Sequence, residues 1–407
     1  MLGLYLHVPF CSAICNYCNF NRGLFDAALK LRYVEAIISE INSAAEAPAA
    51  IPSRGHGEPR RGISVSSRRG WGPGANEKSK APEPADTIYF GGGTPSLLEP
   101  GEVARIIAAC RAAFDVAGDA EITLEANPES VDEARLAGFR AGGVNRLSFG
   151  VQSFREPELR RLSRLHTADR ARAAVSEARA AGFENISLDL MMWLPEQQVL
   201  EWLESVDAAI ALAPEHLSLY LLEVYPNAPL KDDMARARWS QAPDDDAAAM
   251  YLAAMDRLDA AGYEQYEISN VARPGRCSRH NIKYWQDGEW LGFGCGAHST
   301  RRGVRWKNVA STDEYVRRLE HSESPAIDHR MLSSNEHLGD ALFTGLRLTK
   351  GVNLDAIRAA HGVDVWDRYG ADLQPFLQAG ILRREGPRLW LTRQGMLLAH
   401  EVMTTFV

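Results

Sequence analysis

The first twenty residues, MLGLYLHVPFCSAICNYCNF, decide the fold. They begin with a β-rich run, GLYLHV, and they lack the basic start and the small-residue cleavage site of a signal peptide. Directly after this run come Cys11, Cys15 and Cys18 in the spacing C-x3-C-x2-C. The stretch therefore predicts an opening strand that carries a compact group of thiols at its end.

The spacing of the three cysteines allows their thiolates to converge on one metal centre. Thiolates are soft ligands that select iron–sulfur clusters, zinc or copper(I). A structural zinc needs a fourth ligand, which Asn19 and Phe20 do not supply, and His7 lies back on the strand. A four-iron cluster held by three cysteines leaves one iron open to bind a substrate. A zinc knuckle and a set of inert buried cysteines are the alternative interpretations.

The overall composition is that of an ordinary globular protein. The chain has 407 residues, which predicts two or three domains, and its 45 basic and 53 acidic residues give a formal charge of −8. The absence of excess positive charge argues against nucleic acid as the main partner. No run of 18 apolar residues is present, which excludes a transmembrane helix and leaves peripheral membrane contact open. Because neither a membrane span nor a signal peptide is predicted, we expect a cytoplasmic protein, in which thiols stay reduced. Six cysteines are too few for a disulfide scaffold.

Beyond the cysteines, β-rich runs alternate with amphipathic helical patterns as far as about residue 225. This alternation predicts a parallel sheet with right-handed crossovers, closed into a barrel or a partial barrel. A helix over 244–261 and a strand over 263–270 are expected to extend or cover this body. The runs are GLYLHV, DTIYFGGG, EITLEAN, NRLSFGVQ, NISLDLMM and HLSLYLLE, and the helical patterns are 101–114, 131–143 and 170–183.

Two other segments complete the organisation of the chain. Residues 46–85 contain six Pro and six Gly with almost no apolar periodicity, which predicts a disordered insertion, with a functional basic loop as the alternative. We therefore expect a barrel domain over 1–45 and 86–300 and a C-terminal domain over 301–407. Its helices, followed by ILRREGPRLWLT and a last helix, are typical of a winged-helix module. This module is not strongly basic, so we expect it to pack against protein rather than DNA.

Polar residues at the ends of the predicted strands indicate a ligand site. The glycines of 91–95 (GGGTP) follow the strand TIYF, and backbone amides at such a position can bind a carboxylate, although a glycine triplet alone is more often a tight turn. Glu125 ends EITLE and Gln152 closes RLSFGVQ. Asp189 lies within ISLDL, where an unpaired carboxylate is costly. We expect Arg164 to satisfy a carboxylate.

These features resemble those of radical S-adenosylmethionine (SAM) proteins. In that family C-x3-C-x2-C, with an aromatic residue before the last cysteine (here Tyr17), holds a 4Fe-4S cluster. SAM chelates the open iron, and reduction of the cluster can cleave SAM to a 5′-deoxyadenosyl radical. The GGGTP segment matches the family's glycine motif at the SAM site. The resemblance implies an α/β fold: a partial (β/α)6-type TIM barrel, here with a C-terminal helical, winged-helix-like domain.

The order and spacing of the residues are similar to those of the oxygen-independent coproporphyrinogen III oxidase branch of this family. The similarity covers residues 1–300 closely and the C-terminal module more loosely. It implies SAM-binding positions without identifying a catalytic group. The implied cofactor-binding residues are Tyr5, Tyr17, Gly92, Gly93, Thr94, Glu125, Gln152, Arg164 and Asp189.

A histidine motif in the second half of the chain resembles the HemW heme chaperones of the same branch. His280, Asn281, Tyr284 and Trp285 form H-N-x-x-Y-W. The resemblance implies a heme site, since an imidazole can ligate heme iron and aromatic rings offer flat apolar faces to a macrocycle. A histidine hydrogen-bonded within a loop is the alternative interpretation, and His298 is a second candidate ligand.

Phe20 separates the chaperones from the oxidase, because the oxidase has a further cysteine two residues after the position of Cys18. We therefore expect a heme chaperone that binds a 4Fe-4S cluster, SAM and heme and delivers heme to heme-accepting proteins. Coproporphyrinogen III oxidation and an unassigned radical SAM reaction are the rival functions. Trp193 replaces a glycine usual in relatives, which predicts either an altered SAM pocket or an outward-facing side chain.

Overall fold

The structure is a computed structural model that describes residues 1–46, 81–226, 228–241 and 243–407. The insertion predicted at 46–85 therefore lies mostly outside the described residues. On both sides of that gap the chain forms regular strand–helix units, as the alternation of β-rich and helical patterns predicts.

Six parallel strands, each followed by helix, build the first half of the molecule. The first strand of the chain pairs in parallel with the first strand after the gap. Pro84 and Ala85, which lie inside the predicted insertion, already belong to this second strand. The elements are β1 (Leu2–Val8), β2 (Phe10–Cys11), β3 (Gly23–Leu24), α1 (Ala27–Glu46), β4 (Pro84–Gly92), α2 (Pro100–Ala113), β5 (Asp115–Ala126), α3 (Glu133–Ala141), β6 (Arg146–Gln152), α4 (Glu156–Arg161), α5 (Ala168–Ala180), β7 (Ile186–Met192), α6 (Val199–Ala211) and β8 (His216–Leu221).

The pleat of these strands divides their residues between two environments. In β1, Leu2, Leu4 and Leu6 are at most 3% exposed and join the main hydrophobic core, which includes Ile37 of α1. Tyr5 of β1 lies on the opposite face, and successive residues of a strand alternate in this way. Helices therefore cover the outside of the sheet, while the inward face is available for polar side chains.

The helices are held by apolar residues at helical spacing. The buried side chains of α2 include Val103, Ile106, Ile107 and Cys110, a stripe with the i, i+3, i+4, i+7 pattern. A fully buried side chain of this size contributes roughly 1.5–3 kcal/mol to folding. Cys110 is thus a core residue, as its position in the helical pattern predicts.

The following segment extends the sheet at both edges. Its elements are α7 (Pro229–Ala237), α8 (Asp244–Ala260), β9 (Glu264–Gln265), β10 (Asn270–Ala272), α9 (Arg279–Trp285), β11 (Trp290–Phe293), β12 (His298–Arg301), β13 (Val304–Asn308), α10 (Thr312–Glu320) and β14 (Ala326–Met331). The strand order is β14-β13-β12-β11-β1-β4-β5-β6-β7-β8-β10-β9. Strands β11, β1 and β4 to β8 run parallel, and the strands beyond them are antiparallel.

The single strand expected over 263–270 is instead two short strands joined by a turn. The buried carboxylate of Glu267 accepts hydrogen bonds from the Ser269 backbone N–H (2.9 Å) and from the Asn270 side chain. These local bonds replace strand pairing at the turn, so the sequence pattern alone overestimates the length of the strand.

The C-terminal region is a separate helical layer with a small sheet. Its elements are α11 (Ser334–Gly345), β15 (Val352–Asn353), α12 (Leu354–His361), α13 (Val365–Gln378), β16 (Leu382–Glu385), β17 (Arg388–Leu391), α14 (Arg393–Leu397) and α15 (Ala399–Met403). The order of the small sheet is β15-β17-β16, with β16 and β17 forming the predicted wing. Strands β13 and β14, with α10 between them, extend the large sheet as far as Met331, so the C-terminal helical layer begins at Ser334. Within the described ranges, no helix has the length and apolar character needed to cross a membrane.

A buried ion pair joins this layer to the barrel. The Glu267 side chain is 0% exposed, and one of its oxygens accepts a hydrogen bond from Arg347 Nη2 at 2.9 Å. Burial raises the pKa of Glu267, and the Arg347 guanidinium opposes that shift. The same guanidinium lies over the ring of Trp285, 4.3 Å from its centroid.

Replacing Arg347 with Met should lower the free energy of unfolding by about 3–5 kcal/mol, since it leaves a buried carboxylate without its counter-charge. The matched control is Arg358→Met, whose pair with Asp364 has a guanidinium 65% exposed, and which should cost about 1 kcal/mol or less. Chemical unfolding curves measure both. Equal losses in the two variants would contradict the assigned role of the pair.

Candidate functional site

The residues that the sequence singles out for the cluster and for SAM line one cavity. The cavity has a volume of about 500 Å³ and opens where the parallel strands end. Ligands of α/β barrels bind at this edge of the sheet. The predicted residues on its wall are Tyr5, Cys11, Cys15, Tyr17, Cys18, Gly92, Gly93, Thr94, Glu125, Gln152, Arg164 and Asp189.

The cysteine loop between β2 and β3 is fixed by two asparagine side chains. Asn16 Nδ2 donates a hydrogen bond to Asp233 at 2.9 Å. Asn21 Nδ2 donates to the backbone carbonyls of Cys295 (3.1 Å) and Ala310 (3.0 Å). The loop is thereby tied to α7 on one side and to the β11–β12 and β13–α10 connections on the other, which gives the thiols defined positions.

The three thiols lie in different surroundings on the same wall. Cys11 Sγ is 3.7 Å from the Thr94 hydroxyl, and Cys15 Sγ is 3.5 Å from Arg164 Nη1. Burial raises the pKa of the Cys11 and Cys18 thiols above its ordinary value. A positively charged metal centre is what would favour their thiolate forms.

This donor set fits a multi-iron cluster better than a single zinc ion. Among the residues that the structure describes, no three Cys, His, Asp or Glu side chains are placed to hold one metal ion. A structural zinc needs all its sulfur ligands about 2.3 Å from one point. The three thiols nevertheless line one cavity, and soft thiolate ligands also select iron–sulfur clusters.

Two glycines allow the chain after β4 to lie against the chain after β1. A Cβ atom on Gly93 would be 2.7 Å from the Phe10 carbonyl oxygen and 3.0 Å from Cys11 Sγ. Gly92 has φ +114°, and a Cβ there would be 2.6 Å from the His7 ring. Because the two segments lie this close, the Gly93 N–H donates a hydrogen bond to the Val8 carbonyl and the Thr94 N–H donates one to the Phe10 carbonyl, each at 2.7 Å.

Two carboxylates occupy the inner wall of the cavity. Glu125 accepts hydrogen bonds from the Tyr89 hydroxyl (2.8 Å) and the Gly92 N–H (3.2 Å). Asp189 accepts one from the Ser148 hydroxyl at 3.2 Å. Burial is the main cause that raises the pKa of Glu125 to about 7, and burial also raises the pKa of Asp189. The pair can accept N–H or O–H donors from a ligand and attract a cationic one.

Arg164 does not make the carboxylate contact expected from the sequence. In the described part of the chain its hydrogen bonds from Nη2 go to Asn127 Oδ1 (2.6 Å) and to the Gly150 carbonyl (2.7 Å). Its other end lies beside Cys15. Neutral acceptors hold the guanidinium at the cavity wall, so its charge remains available to an anionic group of a ligand.

Sequence reasoning missed several residues that shape the site. Tyr89 orients Glu125, Ser148 orients Asp189, and Asn127 orients Arg164. The period-two pattern of the strands contains the missing signal, because Tyr89 and Ser148 alternate with core residues. Asn127 carries no such signal, since it follows the end of its strand.

The H-N-x-x-Y-W motif lies apart from this wall, on α9 under the barrel. His280 is 1% exposed. Its Nδ1 is 2.8 Å from the Thr87 hydroxyl and its Nε2 is 2.9 Å from the Tyr284 hydroxyl. Burial is the main cause that lowers the pKa of His280 to about 3. The neutral ring therefore has both nitrogens engaged in hydrogen bonds, and iron ligation requires one of these bonds to break.

The remaining residues of the motif point to different neighbours. Asn281 donates its backbone N–H to the Ser278 hydroxyl at the start of α9, and the buried Trp285 Nε1 has no hydrogen-bond partner within the described ranges. His298, the second candidate ligand, is exposed on β12, and its carbonyl accepts a bond from Trp290 Nε1 at 2.9 Å. Of the two candidate heme ligands, His280 is therefore buried and His298 is exposed.

Two residues noted as departures are now located. Trp193 has φ +62°, a left-handed conformation that glycine adopts without strain, and it is not part of the described cavity wall. Phe20 does line the cavity mouth, and its side chain is 64% exposed. Phe20 therefore presents an aromatic ring at the entrance of the cavity.

The fold and the cavity define a radical SAM protein. The Radical SAM superfamily model matches residues 76–209, and the HemN C-terminal domain model matches residues 332–398. The structure superposes on coproporphyrinogen III oxidase (HemN) from Escherichia coli with a TM-score of 0.81, 21% identity, and coverage of 100% of this chain and 89% of that one. The α/β fold with its C-terminal helical domain is thereby confirmed.

Relatives of the same length identify the family within this class. The chain is 32% identical over 409 residues to heme chaperone HemW from Bacillus subtilis (strain 168), covering 100% of this chain and 99% of the relative. It is 36% identical over 410 residues to heme chaperone HemW from Mycobacterium tuberculosis (strain H37Rv), covering 100% and 94%. The chain belongs to the HemW family, which confirms the resemblance seen in its motifs.

Gly93→Ala should reduce the iron that the protein takes up on anaerobic reconstitution by several-fold, since the added Cβ pushes on Cys11 Sγ and on the Phe10 carbonyl. Gly101→Ala is the matched control, because nothing lies within 4 Å of a Cβ at that position. Iron and sulfide analysis measures the effect. Wild-type iron content in Gly93→Ala would contradict the importance of the close approach.

Glu125→Gln should stabilise the cluster-free protein at alkaline pH. The stability that the Glu125 carboxyl contributes is fully present below its unfolded pKa of 4.5 and is lost as pH rises through its folded pKa of about 7. The variant avoids that loss. The difference in free energy of unfolding between the variant and the wild type should therefore be about 1–3 kcal/mol more favourable to the variant at pH 8 than at pH 4.5. Unfolding curves across this range test it, with Glu385→Gln on the exposed wing as control. A stability difference between Glu125→Gln and the wild type that does not change with pH would refute the raised pKa of Glu125.

Proposed function

We propose that this chain is a heme chaperone that binds a 4Fe-4S cluster through Cys11, Cys15 and Cys18, SAM in the adjoining cavity, and heme for delivery to heme-accepting proteins. The observation that supports it most is the convergence on one cavity wall of thiols from the β2–β3 loop with polar residues from five separate strands. Cluster and SAM together would supply the reductive chemistry of radical SAM proteins or a regulated platform for release of heme.

The chain's own residues have distinct tasks in this proposal. The thiols hold the cluster, and the Arg164 guanidinium beside Cys15 offers a charge to the carboxylate of SAM. Glu125 and Asp189 accept hydrogen bonds from amine or hydroxyl groups. Gln152, with φ +67° at the end of β6, turns the chain at the cavity wall. Tyr5 and Tyr17 also line the cavity.

Heme binding is proposed from the H-N-x-x-Y-W motif and from the name of the full-length relatives, heme chaperone HemW. In the described conformation His280 is enclosed, so ligation by its imidazole requires α9 to move from under the barrel. His298 is accessible without such a movement. We propose a cytoplasmic protein whose partners are heme and heme-accepting proteins, and we propose no nucleic-acid partner.

Oxidation of coproporphyrinogen III is the second candidate function, supported by the structural likeness to HemN. Phe20 stands where that branch of the family has its further cysteine. An exposed phenyl ring supplies no thiol ligand at the cavity mouth, and for that reason the chaperone is preferred.

The proposal is tested by anaerobic hemin titration of the reconstituted protein beside a SAM-dependent coproporphyrinogen turnover assay. We expect a Soret shift that saturates near one hemin per chain and no turnover. His280→Ala should abolish the shift if His280 is the ligand. Tyr284→Phe, which removes only the hydroxyl that engages Nε2, should retain or strengthen it.

His298→Ala is the control for the second candidate ligand and should leave the titration unchanged. Loss of the Soret shift in His298→Ala with retention in His280→Ala would move the site to β12. No hemin binding by the wild type would refute the chaperone, and conversion of the porphyrinogen would favour the oxidase.

A further inference from the structure

Inside the barrel lies a charged side chain that no other described residue pairs with. Arg146 is the first residue of β6 and is 1% exposed. Leu147 and Phe149 point to the other face of β6 and belong to the hydrophobic core between the sheet and the helices. The guanidinium therefore lies on the inward face together with Ser148, two residues farther along, whose hydroxyl bonds to Asp189.

No hydrogen bond or ion pair among the described residues includes this guanidinium, and its Nε is buried without an acceptor. Burying an unpaired charge costs several kcal/mol, so buried arginines are normally paired with a carboxylate. Without such a contact, the charge of Arg146 can act on other charged groups only at longer range.

The strand register shows which groups these are. Arg146 pairs with Thr123 of β5, and the next inward residues of the two strands, Glu125 and Ser148, pair with each other. Arg146 thus lies one layer below the cavity, between the strand of Glu125 and the strand of Asp189. Its charge lowers the pKa of both carboxyls and so opposes the effect of their burial.

The other groups that face the carboxylates do not supply this charge. The Arg164 guanidinium also favours ionised Asp189, but it is hydrogen-bonded at the cavity wall beside Cys15. Burial lowers the pKa of His216 and of His280, so both rings below the site are neutral at pH 7. The other titratable groups near these residues include the phenols of Tyr5, Tyr89, Tyr220, Tyr266 and Tyr284. The buried Glu121 carboxylate lies on the same face of β5, two residues before Thr123, and accepts hydrogen bonds from the Arg279 and His280 backbone N–H groups at 3.0 Å.

We propose that Arg146 is a positioning residue that favours the ionised forms of Glu125 and Asp189, so that the cavity accepts a cationic ligand. This inference rests on the proposed binding of SAM, which carries a sulfonium and an ammonium group against one carboxylate. Ionised carboxylates attract those cations and accept their N–H and O–H donors, whereas protonated ones do neither well. Arg146 itself touches no ligand in this account.

The test is SAM affinity as a function of pH, measured by equilibrium binding to anaerobically reconstituted protein between pH 6 and pH 9. Wild-type affinity should rise with pH to a plateau. In Arg146→Met and Arg146→Gln the rise should move upward by about one pH unit or more, with about a tenfold loss at pH 7. Arg146→Lys, which keeps the charge, should retain the wild-type profile.

An infrared measurement on the cluster-free protein makes the test independent of SAM. At pH 7 the neutral variants should show a stronger band of protonated carboxyl than the wild type and Arg146→Lys, which should resemble each other. A pH profile unchanged in the neutral variants, or a shifted profile in Arg146→Lys, would overturn the inference. Failure of the wild type to bind SAM would instead refute the proposed function, while the infrared band would still report on Arg146.

Discussion

The close approach between the chain after β1 and the chain after β4 is the constraint on which the candidate site depends. Backbone hydrogen bonds of 2.7 Å join Gly93 to Val8 and Thr94 to Phe10, and they bring Cys11 to the edge of the barrel. Only a residue without a Cβ fits at Gly93. The thiols come from β2 and the loop that follows it rather than from the large sheet, and they thereby acquire a fixed place beside the carboxylates of other strands.

A second physical theme is the polar interior of the barrel. Helices and the outer faces of the strands form the hydrophobic core, while the inner face carries carboxylates, hydroxyls, neutral imidazoles and one buried guanidinium. Groups of this kind are costly to bury unless they bond to one another or act on a ligand. At the floor, His280 is satisfied by Thr87 and Tyr284. At the mouth, Glu125 and Asp189 face open space.

The sequence predicts the parts of this account that are local. The β-rich runs that alternate with helical patterns locate the six parallel strands, and the spacing of the cysteines locates the thiols. Both can be predicted because each pattern is contained within a short segment of the chain. Tertiary effects are not visible in this way. Nothing in NRLSF distinguishes Arg146 from an ordinary surface arginine, and the burial of His280 arises only when α9 folds under the barrel. The turn at Glu267 depends likewise on Arg347, 80 residues away.

The central claim is that the three thiols hold a cluster with one iron open to SAM, and electron paramagnetic resonance of the reduced, anaerobically reconstituted protein tests it most directly. We expect about four iron and four sulfide per chain and a spectrum that changes when SAM is added. Cys15→Ser should lose the signal. A wild-type protein that takes up no cluster, or one whose spectrum is indifferent to SAM, would contradict the account.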